Sequence, residues 1–98
     1  MTALPTAATV TLGAQTVTIP VEYGTAIREG AGELWDHEPL WRGYPGAPSG
    51  AADQAWARAQ EHFAEEQATK NPSDREGIEL VLVWRLAADV TASWAPFN

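Results

Sequence analysis

The stretch TAATVTLGAQTVTIPVEYG at residues 6–24 decides the fold that the sequence predicts, because its apolar residues alternate with threonines. A period of two in residues rich in Val, Ile and Thr indicates β-strands. Gly13 and Ala14 separate two such runs, and glycine suits the first central position of a type II′ turn. We therefore predict a β-hairpin with an apolar face and a threonine face, formed respectively by Val10, Leu12, Val17 and Ile19 and by Thr9, Thr11, Thr16 and Thr18.

Two registers of this hairpin keep its apolar residues on one face. A two-residue loop pairs Val10 with Val17, whereas a four-residue loop pairs Val10 with Ile19. Pro20 has no N–H to donate, so we expect it to end the second strand. No charged residue precedes Glu22. Because an isolated two-stranded hairpin is marginal in water, its apolar face must lie on the rest of the chain or on another molecule.

The next two segments predict weaker structure. Apolar residues of the segment 21–38 fall near one face of a helix: Tyr23, Ile27, Ala31, Leu34 and Trp35. We predict a weak helix there, or two short helical pieces bent around residues 30–32. The segment 39–50, PLWRGYPGAPSG, holds three prolines and three glycines, and we predict a loop.

The clearest helix covers residues 51–70, where apolar residues recur at helical spacing: Ala52, Ala55, Trp56, Ala59 and Phe63. The segment 73–94 is the expected core element. Its length and the capping box of Ser73 and Glu76 favour a helix, while the alternation in IELVLVWRL leaves a strand open. The predicted fold is α+β, with an N-terminal β-hairpin packed on two or three helices in a single domain of 98 residues.

Composition bounds the classes of function. The chain has 13 acidic residues, six basic residues, a net charge of −7 and no cysteine. The lack of cysteine excludes disulfides and thiolate sites, and it favours a cytoplasmic protein. Scattered basic residues argue against direct binding to nucleic acid, and no apolar run has the length of a membrane span. The acidity either aids solubility or imitates nucleic acid towards a basic partner.

One motif has the residue types of a metal or acid–base site. In EHFAEE, His62 precedes Glu65 and Glu66 by three and four positions, so the three side chains share one side of a helix. A solvated acidic helix face explains the same pattern. No nucleophile elbow, phosphate loop or dinucleotide fingerprint is present. We therefore predict a protein without catalytic residues and without a metal or cofactor.

Aromatic residues suggest where a partner binds. Five tryptophans in 98 residues is a high content, and tryptophan is common at the centres of protein interfaces. Trp56 and Trp84 fit core positions, whereas other aromatic residues fall in the predicted loop and near the C-terminal end. The predicted partner-binding residues are Val10, Leu12, Val17 and Ile19 of the hairpin, Trp41 and Tyr44 of the loop, and Trp94 and Phe97.

The first 28 residues resemble the start of small tail assembly chaperones of siphophages and gene transfer agents. Those proteins often open with a hairpin of the form VTLGGxxxxIPxxYGxLR, and the matching positions here are residues 10–13, Ile19, Pro20, Tyr23, Gly24 and Arg28. The resemblance implies a non-catalytic protein that binds a tape measure or tail tube protein, in the host cytoplasm or in the virion.

The expected function is therefore protein binding or self-association in phage assembly or structure. One alternative is an acidic inhibitor of a basic protein, either a nucleic-acid mimic or an antitoxin or immunity protein. Such an inhibitor should lose affinity steeply as salt rises, whereas an apolar assembly contact should not. A second alternative is a small subunit of an enzyme complex.

Overall fold

The computed structural model describes residues 3–71, 73, 76–87 and 94–97. Within these residues the chain forms a five-stranded antiparallel sheet and one helix. In chain order the elements are β1 (Ala7–Leu12), β2 (Gln15–Glu29), β3 (Trp35–Arg42), α1 (Ala51–Ala68), β4 (Ile78–Leu86) and β5 (Ala95–Pro96). No helix of the described part has the length and apolar content needed to cross a membrane.

The predicted packing of a hairpin on two or three helices is wrong, because the described chain is mostly sheet and holds a single helix. The segment 21–38 is not helical, since β2 continues to Glu29 and β3 begins at Trp35. Tyr23 and Ile27 fit a helical face, but they also fit the two-residue period that starts at Val17. Pairing along both edges of β2 decides the conformation in favour of the strand.

The segments predicted as a loop and as the core element both contain strands. The segment 39–50 is not entirely a loop, because β3 extends to Arg42. Pro39 is tolerated there since β3 is an edge strand, where a missing N–H costs little. The segment that begins at Ile78 is strand β4, which is the alternative that its alternation left open. The rest of that segment includes residues 88–93, which lie outside the described residues.

The hairpin and the helix at 51–70 are present. β1 and β2 pair through the two-residue loop, with Val10 opposite Val17. Helix α1 covers all but the last two positions of the predicted range. Both features depend on short-range patterns, which explains why they are readable from the sequence.

Three strands meet at Val21. Its N–H donates to the Thr6 carbonyl at 3.2 Å, and its carbonyl accepts from the Gly43 N–H at 2.8 Å. Because the N–H and C=O of a strand residue point to the same edge, β1 and β3 must follow one another along one edge of β2. Strand β4 occupies the opposite edge, from Val21 to Glu29, and β5 pairs with β4.

Pro20 does not end β2, although its missing N–H predicted that. The Pro20 carbonyl accepts from the Ala87 N–H at 2.8 Å, so the edge of Pro20 that lacks a donor faces the end of β4. The Ala87 carbonyl, which a backbone N–H at position 20 would otherwise satisfy, accepts instead from Nη2 of Arg42 at 2.6 Å. A side chain thus replaces the one ladder bond that proline removes.

Helix α1 covers one face of the sheet. The buried core on that face consists of Val21, Tyr23, Ala52 and Leu82. The Asp53 carboxylate accepts from the Leu4 N–H at 3.0 and 3.2 Å, and the Tyr23 hydroxyl donates to the Pro5 carbonyl at 2.8 Å. The Asp53 bonds tie the segment before β1 to the first turn of the helix, and the Tyr23 bond ties that segment to β2.

Strand β3 contains two bulges. Tyr23 pairs with Trp41 and Gly24 pairs with Pro39, so Leu40 is an extra residue on β3. Further along, Thr25 pairs with Glu38 and Ile27 with Trp35, so Asp36 and His37 together oppose Ala26. Asp36 has φ of 56°, in the left-handed region that non-glycine residues seldom adopt.

The molecule is elongated, with principal extents of 54 × 26 × 23 Å. Helix α1 packs against β3 and β4, while its first turn bonds to Leu4 in the segment before β1. The hairpin therefore continues past the helix. From Val21 to the turn at Gly13 and Ala14, β2 runs roughly 20 Å at 3.3 Å per residue.

Gly43→Ala should separate the strands that meet at Val21. A Cβ at position 43 would lie 2.6 Å from the Thr6 carbonyl oxygen and 2.8 Å from that of Val21, and neither backbone can withdraw freely. We expect a loss of about 1–3 kcal/mol in the free energy of unfolding, measured by urea titration. Hydrogen exchange at the Val21 amide should accelerate. Gly46→Ala strains its own backbone, where φ is 80°, but its Cβ meets nothing within 4 Å, so it should not selectively accelerate exchange at the Val21 amide.

Tyr23 should make the fold sensitive to alkali. Burial of its ring, together with the nearby Asp53 carboxylate, raises the pKa of Tyr23 to about 12 from an ordinary 10.0. Because the folded state holds the proton more tightly, this stabilisation is complete below pH 10 and is lost as pH rises towards 12. The urea midpoint of the wild type should fall across that window more than the midpoint of Tyr23→Phe. Parallel curves for the two proteins would contradict the assignment.

Candidate functional site

The hairpin presents two surfaces. The first, which we name the hairpin face, consists of the half-buried side chains of Val10, Val17 and Ile19, which lie on the same side of the sheet as Tyr23. None of the three belongs to the core cluster beneath α1. Leu12 shares their register, but its side chain lies outside the described part. The structure thus brings together the predicted hairpin residues whose side chains it describes.

The second surface, which we name the hairpin edge, is the outer backbone edge of β1. Since Thr6 bonds Val21, alternation along the antiparallel ladder turns the backbone groups of Ala7, Thr9 and Thr11 away from β2. β1 is the last strand in the sheet order, so no described strand pairs with this edge. No residue of β1 carries a charge.

The opposite end of the sheet holds an open groove of about 380 Å³ between α1 and the sheet, which we name the acidic groove. Its apolar lining comes from Ile27, Pro39, Leu40, Ala59, Phe63 and Leu80. Thr25 also lines it. Its polar lining comes from Asp36, Glu38, His62 and Glu66. The sheet is thus accessible beside the later turns of helix α1.

The candidate metal ligands that the sequence offered, His62, Glu65 and Glu66, do not form a metal site in the described residues. Nδ1 of His62 lies 3.8 Å from Oε1 of Glu66, and both side chains are exposed. Glu65 is not among the residues that line the groove. No group of three or more His, Asp or Glu side chains in the described part is arranged to hold a metal ion. Of these residues, His62 and Glu66 are polar groups at the rim of the groove.

The predicted aromatic contact residues divide between the surface and the interior. Tyr44 is 54% exposed. Trp41 and Phe97 pack against the Tyr23 ring, with centroid separations of 6.3 and 5.5 Å, and Phe97 meets that ring edge-on. The guanidinium of Arg85 lies 4.0 Å from the ring centroid of Trp94. Three of the four aromatic residues thus contact other side chains of this chain.

Trp35 was not among the predicted contact residues, yet it is 50% exposed. The prediction of a helix over residues 21–38 placed it on a buried face. In the structure it begins β3 and pairs with Ile27, which lines the acidic groove. Gly30 and Gly32, just before it, are turn signals from which a new strand could have been predicted.

The sheet face opposite α1 holds a buried ion pair. Nε of Arg85 donates to Oε1 of Glu22 at 2.7 Å, with the two side chains 16% and 10% exposed. Arg42 occupies the same cross-strand row, because Glu22 pairs with Arg42 on one side and with Arg85 on the other. The row joins three strands on the face away from the helix.

Comparison with known proteins does not assign the chain to a family. No family model, curated protein or solved structure matches it. Inference of function therefore rests on the hairpin and the acidic groove.

Removing one partner of the buried ion pair should destabilise the fold strongly. We expect Arg85→Met to cost about 3–5 kcal/mol in the free energy of unfolding, because the Glu22 carboxylate stays buried without its cation. The double variant Glu22→Gln with Arg85→Met should recover most of that loss. Urea titration measures both.

The same two strands supply the matched control. Arg28 and Glu79 form an ion pair on the same sheet face, but their side chains are 38% and 51% exposed. Arg28→Met should cost less than about 1 kcal/mol. Equal losses for Arg28→Met and Arg85→Met would show that burial does not set the strength of the pair.

Proposed function

We propose that the protein is a non-catalytic binding protein that assembles through its hairpin, with a second copy of the same chain as the partner. The observation that carries the proposal is the hairpin edge. It is the outer side of a six-residue strand without a charged side chain, and no described strand pairs with it on that side. Its outward backbone groups offer hydrogen bonds to another strand.

Natural edge strands usually carry features that prevent such pairing. Lysines, prolines, bulges or covering loops are the common ones. β1 contains no lysine and no proline, and its register with β2 is regular from Ala7 to Leu12. Its sequence, AATVTL, is also rich in residues that favour strands. These features support β1 as a strand that pairs with a neighbour.

The distribution of charge supports a second copy as that neighbour. A net charge of −7 on each chain opposes self-association in general. The described residues before Glu22 are uncharged, whereas the carboxylates of the acidic groove lie near the far end of β2. Two copies joined at their hairpins keep these carboxylates apart by much more than the Debye length of about 8 Å at physiological ionic strength.

An antiparallel pair of identical β1 edges is also self-complementary, as two-fold symmetry requires. It makes the hairpin faces of the two copies neighbours in one extended sheet, so that Val10 and Val17 of each copy belong to a larger apolar surface. Within this class of function, the resemblance of the first 28 residues supports a component of phage particle assembly or structure. The proposal includes no cofactor and no catalytic residue.

Thr9→Pro tests the proposal. The Thr9 N–H points away from β2, so proline at this position removes a donor from the hairpin edge without breaking the β1–β2 ladder. We expect the wild type to form an oligomer at low and at high salt, and Thr9→Pro to be monomeric, as measured by light scattering. Thr9→Val is the matched control, since it keeps the N–H and should keep the oligomer.

Circular dichroism and the urea midpoint establish that Thr9→Pro remains folded. A wild type that is monomeric at both salt concentrations would overturn self-assembly. An oligomer that survives Thr9→Pro would place the contact elsewhere. An oligomer that dissociates as salt rises would indicate a charged contact instead of a strand pair.

A further inference from the structure

The acidic groove combines an apolar floor with a rim of one charge sign. The floor is formed by half-buried side chains of the sheet and helix, among them Ile27, Phe63 and Leu80. The volume of about 380 Å³ is within the range of ligand-binding clefts. A surface of this kind takes apolar side chains from another molecule, because burial there removes apolar area from water on both sides.

The charge of the rim determines which apolar segment fits. Asp36, Glu38 and Glu66 contribute three carboxylates, and His62 adds an imidazole. No lysine or arginine is among the described residues that line the groove. An occupant with Lys or Arg beside its apolar residues gains attraction, whereas an acidic occupant is repelled. Charge complementarity therefore favours a basic segment.

The bulge in β3 builds this rim. In a regular strand, Trp35 and Glu38 would lie on opposite faces, because they are three residues apart. Since Asp36 and His37 together oppose Ala26, Trp35 pairs with Ile27 and Glu38 with Thr25, and both cross-strand partners line the groove. The left-handed backbone at Asp36 belongs to this bulge. The bulge therefore helps to place Trp35, Asp36 and Glu38 on one side of the sheet.

Trp35 adds a contact of its own. Its side chain is half exposed and does not itself line the groove, but it precedes Asp36 of the rim and pairs with Ile27 of the lining. An exposed indole binds apolar side chains, and its ring face attracts the cationic groups of Lys and Arg. A basic and apolar segment that extends from the groove past Ile27 therefore has a further group to contact at Trp35.

We infer that the acidic groove binds a short segment of a partner protein in which one or two large apolar side chains are flanked by Lys or Arg. The site lies near the end of β2 that is remote from the turn. The strand length from Gln15, beside the turn, to Ile27, in the groove, is roughly 40 Å at 3.3 Å per residue. It is independent of the hairpin edge, so either proposal can fail while the other stands.

The probe is a fluorescein-labelled peptide amide of sequence KLLKKLLK, titrated into the full chain and followed by anisotropy. Two matched peptides separate charge from apolar contact: ELLEELLE reverses the charge, and KSSKKSSK removes the apolar side chains. We expect the first peptide to bind and both others to bind at least tenfold more weakly. Equal binding of KSSKKSSK would overturn the inference, because it would reduce the groove to a general acidic attraction.

Variants locate the binding. Asp36→Asn with Glu38→Gln removes two rim charges, and asparagine also accepts the left-handed backbone at position 36. Glu61→Gln with Glu65→Gln removes the same charge from residues of α1 that do not line the groove. We expect the first pair to weaken KLLKKLLK binding about tenfold and the second pair to change it less than twofold. Equal effects of the two pairs would contradict a specific site.

Amide chemical shifts report where the peptide binds, whereas anisotropy reports how tightly it binds. On addition of KLLKKLLK, we expect the largest changes at residues of the groove, such as Ile27, Glu38 and Phe63. Changes concentrated at Val10 and Val17 would move the binding to the hairpin face and overturn the inference. The mass in solution, measured in parallel, reports on the hairpin edge separately.

Discussion

The hydrogen bonds of Val21 hold the sheet together at the place where its pairing changes. Before this residue β2 pairs with β1, and after it the same edge pairs with β3, while β4 follows the other edge from Val21 onwards. Since both polar groups of Val21 point to one edge, the start of one neighbour and the end of the other must come together there. Gly43 makes this meeting sterically possible, because any Cβ at its position would overlap two backbone oxygens.

This arrangement separates two kinds of surface along one strand. The hairpin half of β2 has uncharged neighbours and no covering helix, so its edge and its face are available for contact. The other half lies under α1, which is held by Asp53 at its first turn and leaves a groove along its later turns. The Arg85–Glu22 pair and Trp94 stabilise the opposite sheet face and leave the groove side open. The two ends of the elongated molecule therefore differ in charge and in the surface that they expose.

The sequence predicted those elements whose conformation depends on neighbouring residues, and it failed for those that depend on distant pairing. The hairpin turn and helix α1 follow from short-range spacing and were predicted. Strand β3 was not, because bulges at Leu40 and at Asp36 break its alternation and its proline suggested a loop. The second half of β2 was mistaken for a helix, since pairing with β3 and with the distant β4 decides its conformation. Trp35 was missed for the same reason, because its exposure follows from the bulge and from no property of its own.

The pairing of β2 with β4 carries a consequence for the order of events during synthesis. Arg28 and Glu79 are separated by 51 residues, and Glu22 and Arg85 by 63. At about 5–20 residues per second, the ribosome makes β4 roughly 3–13 s after β2. Throughout that interval the nascent chain holds a three-stranded intermediate at most, with the β4 side of β2 open to any strand nearby. Polysomes crowd identical nascent chains together, so premature pairing between them is the hazard that this topology creates, and a chaperone that shields β2 would act in that interval.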